Sequence, residues 1–398
     1  MSAPERPFGV YVHYPYCAKR CPYCDFNVVQ PGPEGRPDEP YRDAVLAELH
    51  ARAPGFSGRE GAVSLYFGGG TPALWAPECV AAVVEGVRAV VGLREGAEIT
   101  LEANPHEADA ARLRALRAAG VNRLSLGTQS FDDALLERLG RQNRRADNER
   151  CVRDAREAGF DNLSLDLIQG AAGQSLEAAM ADVDAALALA PEHVSTYELT
   201  IHAGTPFGAR ARRGEVLTTD DDALADAWHA TRGRLRDAGV QPYEISNAAR
   251  PGREAVHNGL YWTMGEYLAL GAGAHGFLRG PASTGGERWE NERHAGRWMR
   301  AALSGKPAER FRETIDAETF AVERLLTGLR LEAGTWVPED EVARFRAAFV
   351  VAEARGLLER TPSPRGSQGG ERVRLTDRGR PLLDNIVADI WASAAPSG

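Results

Sequence analysis

Cysteine is scarce in this chain, with five among 398 residues. That is too thin a supply, in too long a chain, for a disulfide framework. An excess of positive charge is missing as well: 47 Lys and Arg stand against 56 Asp and Glu, a formal net charge of −9. Such a balance excludes a protein that grips nucleic acid by bulk charge. No apolar run approaches the roughly 20 residues that a membrane-spanning helix needs. The amino-terminal Met1-Ser2-Ala3-Pro4-Glu5-Arg6-Pro7 has no hydrophobic centre of a secretory signal. These absences predict a protein of the reducing cytoplasm, without a transmembrane segment. Hydrophobic content of 43% and charged content of 26% belong to ordinary globular domains, and the length predicts a large domain plus a smaller one.

The few cysteines are unevenly spread. Cys17, Cys21 and Cys24 lie in Tyr16-Cys17-Ala18-Lys19-Arg20-Cys21-Pro22-Tyr23-Cys24-Asp25-Phe26, spaced Cys-x-x-x-Cys-x-x-Cys. The strand-like run Gly9 to His13 leads in, and Pro15 and Pro22 keep the cysteine segment irregular. Thiolates are soft ligands suited to iron–sulfur clusters. A loop with this spacing can place three sulfurs on three irons of a cubane. The fourth iron is then an open Lewis-acid position for a small chelating molecule. Lys19 and Arg20 set positive charge beside the sulfurs, which predicts lowered thiol pKa values. Other ligations fit less well. A structural zinc site wants four closing ligands, usually in two pairs, and His13 would complete such a set only from an unusual spacing. A ferredoxin would need a fourth cysteine, whereas Cys79 and Cys151 stand alone in helix-like stretches and read as ordinary core residues.

Along the chain, strand and helix signals alternate. Strands are predicted at Val63–Phe67, Ala97–Leu101, Val121–Leu126, Phe160–Ile168 and His193–Leu199. Helices are predicted at Tyr41–Ala53, Asp109–Ala119, Asp132–Leu139, Leu176–Leu189 and Asp220–Ala238. Counting the strand before the cysteines, about six β/α units result, the pattern of a parallel sheet with helices outside. Right-handed crossovers would curl it into a partial (β/α)6 barrel of the TIM type, over residues 1–280. Residues 281–398 change character. Helices at Glu318–Leu329 and Glu339–Phe349, then short strands at Gly356–Arg360 and Arg372–Thr376 around the polar loop Ser363–Gly370, predict a small α+β, winged-helix-like domain. A winged helix often binds DNA, but fold analogy would be the only warrant, and the acidic charge argues for packing or partner contact instead.

Reactive groups in parallel sheets gather at the carboxyl ends of the strands. Candidates there are Gly69, Gly70 and Thr71 within Gly68-Gly69-Gly70-Thr71-Pro72, then Glu102 and Asn104, then Gln129 with Arg141 one helix on, then Asp166 in an otherwise apolar strand. Glycines let backbone approach a ligand closely, and a lone strand acid is costly unless paired. The plain alternative for the glycines is a tight turn.

The cysteine spacing after a strand resembles the signature of the radical S-adenosylmethionine superfamily, and Tyr-Val-His-x-Pro-x-Cys is similar to the oxygen-independent coproporphyrinogen III oxidase family. In the oxidases proper, a further cysteine follows two residues after the third; here that place is Phe26. The chain therefore looks like the haem-chaperone (HemW) branch. The resemblance runs from Tyr11 to the Leu375-Thr376-Asp377-Arg378-Gly379 segment and implies three bound groups: a [4Fe-4S] cluster on Cys17, Cys21 and Cys24, S-adenosylmethionine, and haem. Matched to S-adenosylmethionine-binding positions are Tyr11, Gly69, Gly70, Thr71, Glu102, Gln129, Arg141 and Asp166. Glu102 would accept from a ribose and Arg141 would pair with the methionine carboxylate. His257-Asn258-Gly259-Leu260-Tyr261-Trp262 resembles the branch's His-Asn-x-x-Tyr-Trp motif. His257 is a sensible axial ligand for haem iron, with sealing of the barrel mouth an equal alternative; His275 is a weaker second. Two departures, Gly170-Ala171-Ala172-Gly173-Gln174 and Asn143, touch the pocket wall only. The implied function is to bind haem and hand it to a membrane respiratory haem protein. The alternatives are radical decarboxylation of coproporphyrinogen III, opposed by Phe26, and a winged-helix regulator with an iron–sulfur sensor, opposed by charge.

Overall fold

The computed structural model describes residues 6–280, 285–306, 308–362 and 369–394. The core is a parallel run of strands. β1 (Phe8–Tyr14) leads to α1 (Asp38–Arg52), β2 (Ala62–Gly69) to α2 (Pro77–Val90), and β3 (Leu93–Ala103) to α3 (Ala110–Ala118). β4 (Arg123–Gln129) is followed by α4 (Asp133–Arg138) and α5 (Arg145–Glu157), β5 (Leu163–Gln169) by α6 (Leu176–Ala188), and β6 (His193–Glu198) by α7 (Pro206–Ala211) and α8 (Asp221–Asp237). These six strands pair in parallel and in sequence order, the partial (β/α)6 arrangement that the alternation predicts. The starts of α3, α4 and α8 fall one residue inside the predicted ones, because Asp109, Asp132 and Asp220 act as N-caps whose carboxylates accept from the first-turn amides.

The two faces of the strands divide the chemistry. Leu65 and Phe67, Ile99 and Leu101, Leu124 and Leu126, Leu163 and Leu165 join the helices in one apolar core. Their alternates point the other way and are polar: Tyr66, Glu102, Ser125, Asp166, Ser195 and Tyr197 share a single cavity. The lumen is therefore a lined space with acids, hydroxyls and a guanidinium (Arg123) on its wall, unlike a barrel filled with branched apolar residues.

Both ends of the sheet extend further. β8 (Asn247–Ala249) adds antiparallel to β6, and β7 (Gln241–Pro242) pairs antiparallel with β8 at the sheet edge. After α9 (Val256–Trp262), β9 (Glu266–Leu270) pairs parallel to β1, and β10 (His275–Arg279), β11 (Gly286–Asn291) and, past α10 (Ala295–Leu303), β12 (Glu309–Ile315) follow antiparallel. The first sheet thus runs to Ile315 and crosses the boundary expected at 280. Charged strands hide this continuation from hydrophobic patterning: β11 and β12 face each other through Arg288–Glu313 and Arg312–Glu287 ion pairs.

A second core holds α11 (Ala317–Gly328), α12 (Glu339–Ala354) and α13 (Leu383–Ala394) against a three-stranded antiparallel sheet. The predicted hairpin is β14 (Leu358–Pro362) with β15 (Gly370–Leu375), and β13 (Thr335–Pro338) joins it as a third strand. Residues 363–368 of the polar loop lie outside the described residues. This unit docks on the barrel through Arg330, which pairs with the buried Glu244 at 3.1 Å and stacks 4.5 Å from the Trp262 ring, and through Glu332, shared by Arg232 and Arg380. No helix among the described residues is long and apolar enough to cross a membrane.

Candidate functional site

The cysteine loop is pinned at both ends. The Cys17 amide donates to Val29 O at 3.0 Å, and Val29 N donates to Pro15 O at 2.7 Å. Further round, Phe207 N donates to Pro22 O at 2.9 Å, and the Asn27 amide reaches Ala272 O at 3.0 Å and Arg293 O at 2.9 Å. An otherwise irregular segment is thereby fixed over the carboxyl ends of β1, β2 and β4.

Gly70 makes this seating possible. Its amide donates to Tyr14 O at 2.7 Å, and a Cβ there would stand 2.7 Å from the Pro15 carbonyl carbon. Gly69 has a φ of 112° and no room beside the His13 ring. Thr71, the last of the run, donates its hydroxyl to Cys17 Sγ at 3.4 Å and accepts from Asn104 at 3.0 Å. Asn104 in turn accepts from Arg141 at 2.7 Å, and Arg141 reaches Cys21 Sγ at 3.5 Å. One continuous chain of hydrogen bonds thus links two cysteine sulfurs through Thr71 and Asn104 at two strand ends and Arg141 just past α4.

Glu102 is half-buried, with Tyr66 Oη donating to it at 2.7 Å and Gly69 N at 3.1 Å. Burial, with the neighbouring Asp166, pushes its carboxyl up to about 7 against those two donors. Asp166, also pushed up by burial, accepts from Ser125 at 2.9 Å and Ser164 at 3.1 Å, the pairing that a strand acid requires. Gln129 adopts a φ of 64° where the β4–β5 register shifts, and that bulge turns its side chain into the cavity.

The result is one cavity of about 440 Å³. It collects Cys17, Cys21, Cys24, Gly69, Gly70, Thr71, Glu102, Gln129, Arg141 and Asp166. Three sequence-predicted residues do not line it. Tyr11 lies behind Tyr66, ring centroids 6.1 Å apart, with its hydroxyl 3.0 Å from His13 Nδ1. His257 is fully buried in α9, and both ring nitrogens are engaged, Nδ1 with Ser64 Oγ at 2.9 Å and Nε2 with Tyr261 Oη at 2.9 Å. In this geometry it presents no free nitrogen to an iron. The helix closes the floor of the lumen instead, the Val256 and His257 amides donating to Glu98 at 3.0 and 3.1 Å. His275 stands outside this cavity, 3.9 Å from Glu290.

The expected lowering of the thiol pKa values is not what the loop produces. Burial pushes the Cys17 thiol up to about 11 and the Cys24 thiol upward too, outweighing the pull of Arg20. Metal-free, these thiols hold their protons, so loading a metal must release them. His13 is no fourth ligand, since Tyr11 Oη and Asn27 O occupy its nitrogens, and burial drives its pKa down to about 4. Cys79 and Cys151 are buried in the apolar core, as expected.

Residues that the sequence reading passed over are Tyr66, Arg123, Ser125, His193, Ser195, Tyr197 and His202, all on the cavity wall. Most alternate with core leucines or valines at a spacing of two, so the strand period was the available signal.

Comparison with known proteins bears on this arrangement. Residues 11–186 match the Radical SAM superfamily. The chain is 37% identical to the heme chaperone HemW of Mycobacterium tuberculosis, over 96% of this chain and 95% of that protein. It is 40% identical to the heme chaperone HemW of Escherichia coli, over 69% and 71% respectively. Among solved structures it resembles the Escherichia coli coproporphyrinogen III oxidase HemN, a radical SAM enzyme, with a TM-score of 0.79 at 23% identity over 98% of this chain and 91% of that one. That likeness is one of fold.

Proposed function

We propose that this chain, which belongs to the radical SAM superfamily and within it to the family of HemW haem chaperones, binds haem and passes it to a membrane respiratory haem protein. The observation that carries the reading is the shared cavity, with three cysteines on one wall and Glu102, Gln129, Arg141 and Asp166 facing them, in a chain alike to HemW along nearly its whole length.

The donor set fits a [4Fe-4S] cluster with S-adenosylmethionine beside it. Three thiols on one loop, with the Thr71 hydroxyl and the Arg141 guanidinium aimed at two of the sulfurs, suit thiolate ligation. Arg141 would pair with the methionine carboxylate, Glu102 would accept from the ribose hydroxyls, and the Gly69–Thr71 backbone would face the amino group. When bound, the cluster supplies an open iron for chelation by the methionine end. The chain's own part is to hold these groups in place and to exclude water behind Tyr66.

Decarboxylation of coproporphyrinogen III has no supporting feature of its own. Phe26 stands where the oxidases carry their extra cysteine, and its ring is 61% exposed at the cavity rim. The test is a haem titration on anaerobically cluster-loaded protein with a product assay alongside. Haem binding with negligible protoporphyrinogen formation is expected; turnover at enzymatic rates would overturn the chaperone reading.

A further inference from the structure

We infer that His202, oriented by Asp25, is the protein ligand to haem iron and that haem sits at the rim of the cluster cavity. The inference rests on the haem-carrier reading and adds to it the residue and the place. Of the nine histidines, only His193 and His202 line the cavity. His193 has neither nitrogen to give: Ser164 Oγ holds one and Tyr243 Oη the other, both at 2.8 Å. His257 and His13 are closed in the same way.

His202 differs on each count. It lies in the loop between β6 and α7 with its side chain 46% exposed and Nδ1 3.3 Å from Asp25 Oδ2. Its Nε2 has no protein partner among the described residues. With a carboxylate beside Nδ1, the Nε2 edge is the one turned to a metal, the arrangement common to metal-ligating histidines. The backbone is set rigidly for this. His202 O accepts from Thr205 Oγ1 at 2.7 Å and Thr205 N at 3.1 Å, and a Cβ on Gly208 would stand only 2.2 Å from that oxygen.

The surroundings suit a flat apolar macrocycle bearing carboxylates. Phe26 and Tyr197 are exposed large aromatics on the same cavity, with Val28 and Leu199 beside them. Apolar surface left open at a cavity lip is surface for a ligand to cover. Lys19 and Arg20, exposed on the same rim, offer cations to propionates. Asp25 and Phe26 directly follow Cys24, so the segment that receives the porphyrin is continuous with the one that would hold the cluster.

The experiment is a spectroscopic haem titration of the full, cluster-loaded chain under anaerobic conditions. Iron content and circular dichroism confirm that each variant is folded and loaded. The unsubstituted chain should saturate with a defined Soret band. His202→Ala should weaken binding by about tenfold or more and move the band, with imidazole restoring it in His202→Gly. Asp25→Asn should weaken binding less. A His202→Ala protein with unchanged affinity and spectrum would overturn this assignment while leaving the haem-carrier reading standing. Failure of the unsubstituted chain to bind haem would overturn both.

Discussion

The two ends of the barrel lumen are walled by the same strands in the same inward register, yet they do opposite things with polar groups. At the floor, Glu98 is met by the Val256 and His257 amides, and His257 is clasped between Ser64 and Tyr261. Thr100 Oγ1, Arg123 Nε and Trp262 Nε1 are buried there without a hydrogen-bond partner among the described residues. At the mouth, the cysteines, Gln129, Arg141 and His202 face a common open space. Polarity by itself does not mark a site. What marks one here is polar and thiol groups that border open space, because enclosed polar groups contribute to stability while those lining a cavity stay within reach of a ligand.

Substitutions at the mouth and the floor should therefore fail differently. The largest effect is expected for Cys21→Ala, which should abolish the roughly 400 nm thiolate–iron band and the bound iron while the fold survives; an unchanged spectrum and iron content would place ligation elsewhere. Gly70→Val comes next. Its side chain would collide with the Pro15–Tyr16 backbone, so calorimetry should find S-adenosylmethionine binding weakened by about tenfold or more, even where the cluster can still be loaded. At the floor, His257→Ala should cost about 2–3 kcal/mol in denaturant unfolding, through lost hydrogen bonds and a cavity, and leave the haem spectrum as it was. A shifted Soret band with undiminished stability would exchange the roles of floor and mouth.

The remaining effect concerns pH. Because burial holds the Glu102 carboxyl at about 7, the folded chain takes up a proton there that the unfolded chain does not, between its ordinary value and about 7. Stability is then fully present below that ordinary value and declines as pH rises through the window, by up to about 3 kcal/mol from this group. Melting temperatures at pH 5 and pH 8 should show a shallower decline for Glu102→Gln than for the unsubstituted chain; identical slopes would refute the role given to burial.

Much of the barrel was legible because β4 and β5 alternate leucine with polar residues and α3, α4, α6 and α8 carry Asp or Ser caps. The strand-end motifs were equally legible, since glycine runs and lone polar residues stand out against leucine. The direction of the faces was not. Alternation says that Tyr66 and Phe67 point apart, but only the helix packing shows that the apolar face lies outside and the lumen is the polar side. The strands beyond 280 escaped because ion pairs, not apolar residues, stitch β11 to β12. His257 attracted attention through its motif, and nothing in the order of residues says that Ser64, far away in the chain, would occupy its nitrogen. His202 carries no local signal at all; its partner, Asp25, is brought beside it by the fold.

The most direct test is metal analysis of the chain purified and reconstituted without oxygen. Four irons per chain, as a cubane requires, with no zinc, and their loss in Cys21→Ala, is the result that this account of the mouth predicts. A colourless protein carrying stoichiometric zinc would contradict it.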